Sequence, residues 1–114
     1  MVKSSILFEI IEDHAPKSQT LLRVGLVGSY ARETATAKSD IDLVFDTGGK
    51  LIDEAILSAG VGIRSVLINQ FNIKTDIVNY DTILRRTSEN NSPDIVKQGY
   101  ENMLNDVKWI WRKS

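Results

Sequence analysis

The chain has no cysteine, two prolines and one histidine in 114 residues. Without cysteine there is no disulfide framework and no thiolate metal site. No apolar run approaches the roughly 20 residues that span a bilayer. A basic surplus is missing too. The formal net charge is −1, whereas a protein that binds nucleic acid mainly through phosphates carries a large positive excess. A membrane span and strong nucleic-acid binding are therefore not expected. The opening stretch, "MVKSSILFEIIEDHAPK", turns acidic after a short apolar run and lacks a small-residue cleavage site. No signal peptide is expected, and the cytoplasm is the default location. What is present is ordinary for a globular protein: 42% hydrophobic and 25% charged residues. The expectation is one domain over residues 1–114 with a single core, burying roughly two-thirds of the unfolded surface.

Hydrophobic spacing divides the chain. Ile6, Leu7, Ile10 and Ile11 repeat with helical period, with Ser4 or Ser5 as the cap and Pro16 just past the end. Leu21 to Val27 is short and apolar and reads as a buried strand. Asp40 to Phe45, "DIDLVF", alternates strictly and reads as a second strand. "KLIDEAILSAGVGIRSVLINQFN" is helical in pattern, although Gly60 and Gly62 weaken its middle. Ile73 to Tyr80 reads as a third strand, and "SENNSP" as a loop. Val96, Tyr100, Met103, Leu104, Val107 and Trp111 predict a closing amphipathic helix. Strands separated by helices imply an α/β (α+β) fold, a small mixed β-sheet with helices packed on one side.

Two acids interrupt the second strand. Side chains alternate along a strand, so Ile41, Leu43 and Phe45 face one way while Asp40, Asp42 and Val44 face the other. In the third strand Lys74, Asp76 and Val78 share a face. If the two strands are neighbours, Asp76 stands beside Asp40 and Asp42. Three converging carboxylates repel one another without a cation. Mg2+ suits such a set, because it takes carboxylate oxygens and keeps waters that a phosphate can replace.

Just upstream, Gly28-Ser29 ends the first strand. A glycine turn with exposed amides at a helix start attracts phosphate. Ser29 adds a hydroxyl, and Arg32 and Lys38 add positive charge. Blander readings stand beside these: Asp40 as a strand-entry residue, Asp76 as a solvent-facing edge residue, Arg32 and Lys38 as solvated surface charges. Asp46 reads as a loop residue, His14 as a surface residue without a role. Trp109 and Trp111 read as core packing, with a partner or self-association surface as the alternative. Gly25 and Gly28 do not form a dinucleotide fingerprint. Gly49-Lys50 is followed by Leu51 and lacks the upstream glycine of a P-loop.

The string "GSYARETATAKSDIDLVF" resembles the signature of the DNA polymerase β-like nucleotidyltransferases. It is similar in particular to the minimal nucleotidyltransferase (MNT) group, related to the kanamycin nucleotidyltransferase catalytic domain. "KTDIVNY" resembles the strand that carries that family's third carboxylate, which is Asp76 here. The signature covers residues 21–46 closely and 73–80 more loosely. One departure is Glu33, where many members have glycine. The resemblance implies transfer of a nucleoside monophosphate, AMP from ATP, onto an acceptor. Asp40, Asp42 and Asp76 would act as catalytic and metal-binding residues with two Mg2+ ions, and Gly28, Ser29, Arg32 and Lys38 would bind the nucleotide. It also implies a small helical HEPN-like protein partner, with this chain as antitoxin. Two alternatives remain: a non-catalytic binding antitoxin of the same fold, or the nucleotide-binding subunit of an aminoglycoside nucleotidyltransferase-like enzyme. Self-association into a homo-oligomer is compatible with each.

Overall fold

A computed structural model describes residues 2–88 and 93–114. The first helix, α1, spans Ser4–His14 and buries Leu7, Ile10 and Ile11 along one stripe. Its cap position falls on Lys3, with no side-chain cap bond, so neither Ser4 nor Ser5 caps it. A 3-10 turn, Ala15–Lys17, with Pro16 near its start, closes the helix and leads to strand β1, Arg23–Val27. A four-residue helix, α2, Gly28–Ala31, follows at once. Strand β2 runs Ile41–Asp46, leaving Asp40 just outside it. Helix α3, Glu54–Phe71, then crosses to strand β3, Thr75–Asn79. Helices α4, Tyr80–Ser88, and α5, Asp94–Asp106, precede strand β4, Lys108–Arg112. Helix α4 has no counterpart in the sequence reading. The "SENNSP" loop falls largely on residues outside the described ones.

The sheet order is β3-β2-β1-β4. β1 pairs antiparallel with β2 and with β4, and β2 pairs parallel with β3. Parallel neighbours need a long crossover, and α3 is that crossover. The mixed sheet is as expected, but its helices cover both faces rather than one. Val24, Leu26, Ile41, Leu43 and Phe45 pack under α1 and α3, with Ile11, Ile63 and Leu67. On the opposite face a smaller cluster of Val27, Val44 and Ile83 lies under α4 and α5, flanked by Tyr100, Met103 and Leu104. Strict alternation allows this: once Val44 and Val78 share a face with the acids, that face also has apolar area to cover.

The predicted closing helix stops at Asp106, and Trp111 lies on β4 instead. The β1–β4 register shifts between Val24 and Gly25: Val24 pairs with Trp111 and Gly25 with Trp109, which leaves Ile110 as the extra residue of a bulge. The bulge sends the two tryptophans into opposite layers. Trp111 is 3% exposed in the larger core and donates its indole N–H to Glu12 Oε2. Trp109 lies over Gly25, where a methyl group would come within 3.0 Å of its ring. It meets Tyr80 edge-on at 5.0 Å between ring centres, and the Arg23 guanidinium stacks on it at 3.6 Å. The pair is therefore core packing and offers no common surface to a partner.

Helix α3 tolerates its two glycines for a steric reason. A methyl group on Gly62 would run into the His14 ring. That ring, half-buried, has its Nδ1 2.8 Å from Ile10 O. His14 is thus a packing residue where α1 meets α3. The helix is bounded firmly. Asp53 caps it by accepting from Ile56 N at 2.8 Å, and Asn72 ends it in the left-handed region at φ 54°. Asp53 also accepts from the Ser18 hydroxyl at 3.0 Å and from Gln19 N at 3.1 Å. Desolvation alone would raise the Asp53 pKa. The bonds from Ile56, Ser18, Gln19 and Thr20 outweigh it and hold the carboxyl below its ordinary value.

Two stability outcomes follow. Gly99, on α5, has open space around it, so Gly99→Ala is expected to stabilise by about 0.5–1 kcal/mol. Gly62→Ala is expected to destabilise, because overpacking costs about 1–3 kcal/mol and exceeds the propensity gain of about 1 kcal/mol. Urea denaturation of the two variants reads the opposite signs. Asp53→Ala is expected to lower the melting temperature at neutral pH. The folded pKa of Asp53 is depressed, so its contribution is complete above the unfolded pKa of about 3.9 and disappears as pH falls through the folded pKa. Melts of parent and variant should converge in strong acid.

Candidate active site

β1 delivers the chain to the site. At its end Gly28 takes φ +71°, and a Cβ there would lie 2.8 Å from Asp42 Oδ2. Only glycine combines that backbone conformation with that approach. The turn brings the Gly28 backbone against the Asp42 carboxylate. Ser29 lies inside the four-residue helix, whose carbonyls accept from Arg32 N and Thr34 N at 3.1 and 2.9 Å.

β2 and β3 deliver the acids. Val27 pairs with Asp42 across the antiparallel ladder, and Asp42 pairs with Asp76 across the parallel one. Both carboxylates therefore stand on the α4/α5 face of the sheet, at one end of it. Asp42 is half-buried and Asp76 is exposed. Asp40 precedes β2 in an exposed loop turned by Thr36 and Ser39. Burial raises the Asp42 pKa, and the nearby charges of Asp76 and then Asp40 raise it further. Among the described residues none of the three carboxylates forms an ion pair.

The chemistry of this donor set fits a hard divalent cation: unpaired carboxylate oxygens, one of them half-buried with a second acid level with it on the next strand, beside a glycine cradle that a methyl group would fill. The set is not closed, however. Among the described residues no group of three acidic or histidine side chains is gathered closely enough to hold a metal ion. Asp42 and Asp76 are brought together by register, while Asp40 stands on the loop before them and acts on Asp42 through its charge.

The two candidate phosphate cations fare differently. Arg32 Nη1 donates to Asp106 Oδ2 at 2.7 Å, tying α2 to the end of α5. Lys38 is exposed in the loop between α2 and β2. Glu33 adopts φ 60°, a left-handed conformation that glycine takes without penalty. This accounts for the glycine usual at that place and shows that the turn persists without it. Asp46 ends β2, 8% exposed, with Oδ2 2.6 Å from Arg23 Nε and Oδ1 accepting from Gly48 N. It is a structural ion pair, away from the other acids.

The sequence reading missed the surroundings of Asp76. A hollow of about 400 Å³ beside it is lined by Arg64, Ile68, Lys74 and Thr75 as well as Val61. The available signal was α3 itself: its apolar residues run round the helix rather than along one stripe, as a second contact face would require.

Residues 5–104 match the family described as nucleotidyltransferase domain, and the chain belongs to it. It is a nucleotidyltransferase domain in family and in fold. No curated protein matches the chain at a significant level. Three solved structures share the fold. A toxin–antitoxin crystal structure with AMP-PNP superposes with TM-score 0.58 at 18% identity, over 99% of this chain and 76% of that one. A mutant MntA–HpeT toxin–antitoxin superposes with TM-score 0.55 at 16% identity, over 99% and 75%. A tri-AMPylated HEPN toxin in complex with MNT antitoxin, from Shewanella oneidensis, superposes with TM-score 0.53 at 16% identity, over 97% and 74%. Among the described residues no helix is long and apolar enough to cross a membrane.

Replacing Asp42 separates electrostatics from architecture. Asp42→Asn removes a charge that burial and two neighbouring acids oppose. The variant is expected to melt a few degrees above the parent at neutral pH in chelator. Added MgCl2 should raise the parent's melting temperature and leave the variant's nearly unchanged. Thermal denaturation with and without Mg2+ measures both.

Proposed function

We propose that the chain transfers AMP from ATP to a hydroxyl of a protein partner, and that this partner is a small helical HEPN-like protein for which the chain acts as antitoxin. The observation that carries the reading is the in-register pair Asp42 and Asp76 beside Gly28. Membership of the nucleotidyltransferase family supports the reaction class. The neighbouring structures with AMP-PNP and with an AMPylated HEPN toxin support ATP as donor and a HEPN protein as acceptor.

Asp40, Asp42 and Asp76 would hold Mg2+, with Asp40 drawn in from its loop. When bound, Mg2+ neutralises charge on the triphosphate and on the leaving pyrophosphate. The Gly28 turn and the Ser29 hydroxyl bind the β- and γ-phosphates. Asp76, exposed at the open side of the sheet, takes the proton of the acceptor hydroxyl. The acceptor oxygen forms a bond to the α-phosphorus, the bond from that phosphorus to its bridging oxygen breaks, and pyrophosphate departs with that oxygen. Arg32 serves indirectly: held by Asp106, it braces α2 and hence the turn. Lys38 is the remaining cation for phosphate oxygens.

One observation favours a second reading, a binding antitoxin without catalysis: among the described residues no group of three acidic or histidine side chains is gathered closely enough to hold a metal ion. A single assay separates the two. Purified protein is mixed with a HEPN protein and ATP labelled at the α-phosphate. Transfer of label is expected, falling at least ~100-fold in Asp42→Asn as metal stabilisation of the transition state is lost. Asp76→Asn should abolish transfer while ATP binding, followed by calorimetry, persists. Absence of label with the parent, while the two proteins form a stable complex, leaves the binding reading.

A further inference from the structure

Helix α3 buries Ile56, Ala59, Ile63 and Leu67 against the sheet. Its outer side is apolar as well: Leu57 and Val61 are each 63% exposed and Ile68 is 46% exposed. An exposed stripe of this kind on one helix marks a contact surface more often than chance scatter. Beside it runs β3, the end strand of the sheet, with no further strand paired to its outer edge among the described residues. Between helix and edge lie two adjoining hollows. One, of about 310 Å³, is lined by Leu57, Gly60, Ile77 and Phe45. The other, of about 400 Å³, reaches Lys74, Thr75 and Asp76. Val61 and Arg64 line both, so the two form one groove that ends at the acid assigned to the acceptor.

Three features point to an occupant. Thr75 lines the groove, is 6% exposed, and its buried hydroxyl has no hydrogen-bond partner. Arg64 and Lys74 are exposed cations that form no ion pair among the described residues. The open edge of β3 offers backbone groups to an added strand. Alternation does the rest. In a segment paired to β3, the residue level with Asp76 lies on the acid face, while its two neighbours along the segment point into the groove under α3.

We infer that the groove between α3 and the β3 edge docks an extended segment of the protein acceptor, apolar where it meets Leu57, Val61 and Ile77, acidic where it meets Arg64 and Lys74, with its reactive hydroxyl level with Asp76. The inference rests on the AMP-transfer reading of the same site and names how the acceptor is recognised.

The probes are short fluorescent peptides with one tyrosine, two alternating leucines on one side of it and a single glutamate, glutamine or lysine on the other, made in both chain orders. Binding is followed by anisotropy without nucleotide, and labelling with ATP carrying a labelled α-phosphate. The parent should prefer the glutamate peptide. Arg64→Glu should invert that preference toward lysine. Val61→Glu, at an exposed position, should weaken every peptide roughly tenfold or more while the melting temperature holds. Equal binding of the three peptides to the parent, or no response to either variant, overturns the inference. So does sedimentation showing a parent dimer that Val61→Glu makes monomeric, because a second copy then fills the groove. Selective binding without labelling keeps the groove and rejects AMP transfer to it. Labelling without charge preference keeps the transfer and rejects the groove. Neither binding nor labelling rejects both.

Discussion

Two like charges held side by side on adjacent strands are the constraint around which this molecule is arranged. Parallel pairing of β2 with β3 sets Asp42 level with Asp76, and the ladder leaves neither carboxylate free to retreat along its strand. Burial and the neighbouring acids push the Asp42 pKa up. A fold selected for stability alone would place an apolar pair there. The sheet tolerates the repulsion because most of its hydrophobic contacts lie elsewhere: the face of β2 opposite Asp42 carries Ile41, Leu43 and Phe45, all buried. The unpaired carboxylates gather at one end of a sheet whose other face supplies most of the core.

The approach of Gly28 to Asp42 depends on the same framework. The β1–β2 ladder pairs Val27 with Asp42, so the turn after Val27 necessarily passes over the acid. Arg32 and Asp106 then tie the short helix to α5. At the far end of the face Arg23, Asp46, Trp109 and Tyr80 form a paired and stacked cluster. One face thus holds a satisfied charge pair at one end and unsatisfied carboxylates at the other. The contrast distinguishes Asp46, a structural acid, from Asp42 and Asp76.

Much of this was legible in the sequence where local pattern and chemistry coincide. The alternation of "DIDLVF" separated the acids from Ile41, Leu43 and Phe45, and the Gly-Ser turn marked the end of β1. The closing helix was read one element too long, because Trp111 continues the helical spacing of Val107. A strand bulge breaks that spacing, and nothing local announces a bulge whose cause is the opposing Gly25 and Val24. Helix α4 went unread for another reason: β3 passes into it with no loop between, Asn79 being followed at once by Tyr80, so no turn residue marks the change of period. His14 looked like a surface residue because its partner, Gly62, lies far along the chain.

The sequence by itself determined which residues could be reactive, the side of each strand they occupy, and the family, since these depend on side-chain type and on the two-residue period of a strand. Only the tertiary structure decided that Asp42 and Asp76 are level with each other, that Asp40 lies in the exposed loop before β2, that Arg32 is held by Asp106, and that the outer side of α3 adjoins an open sheet edge. Those facts depend on register and on which elements become neighbours. Both are set by the packing of the whole chain, through contacts between residues distant in sequence.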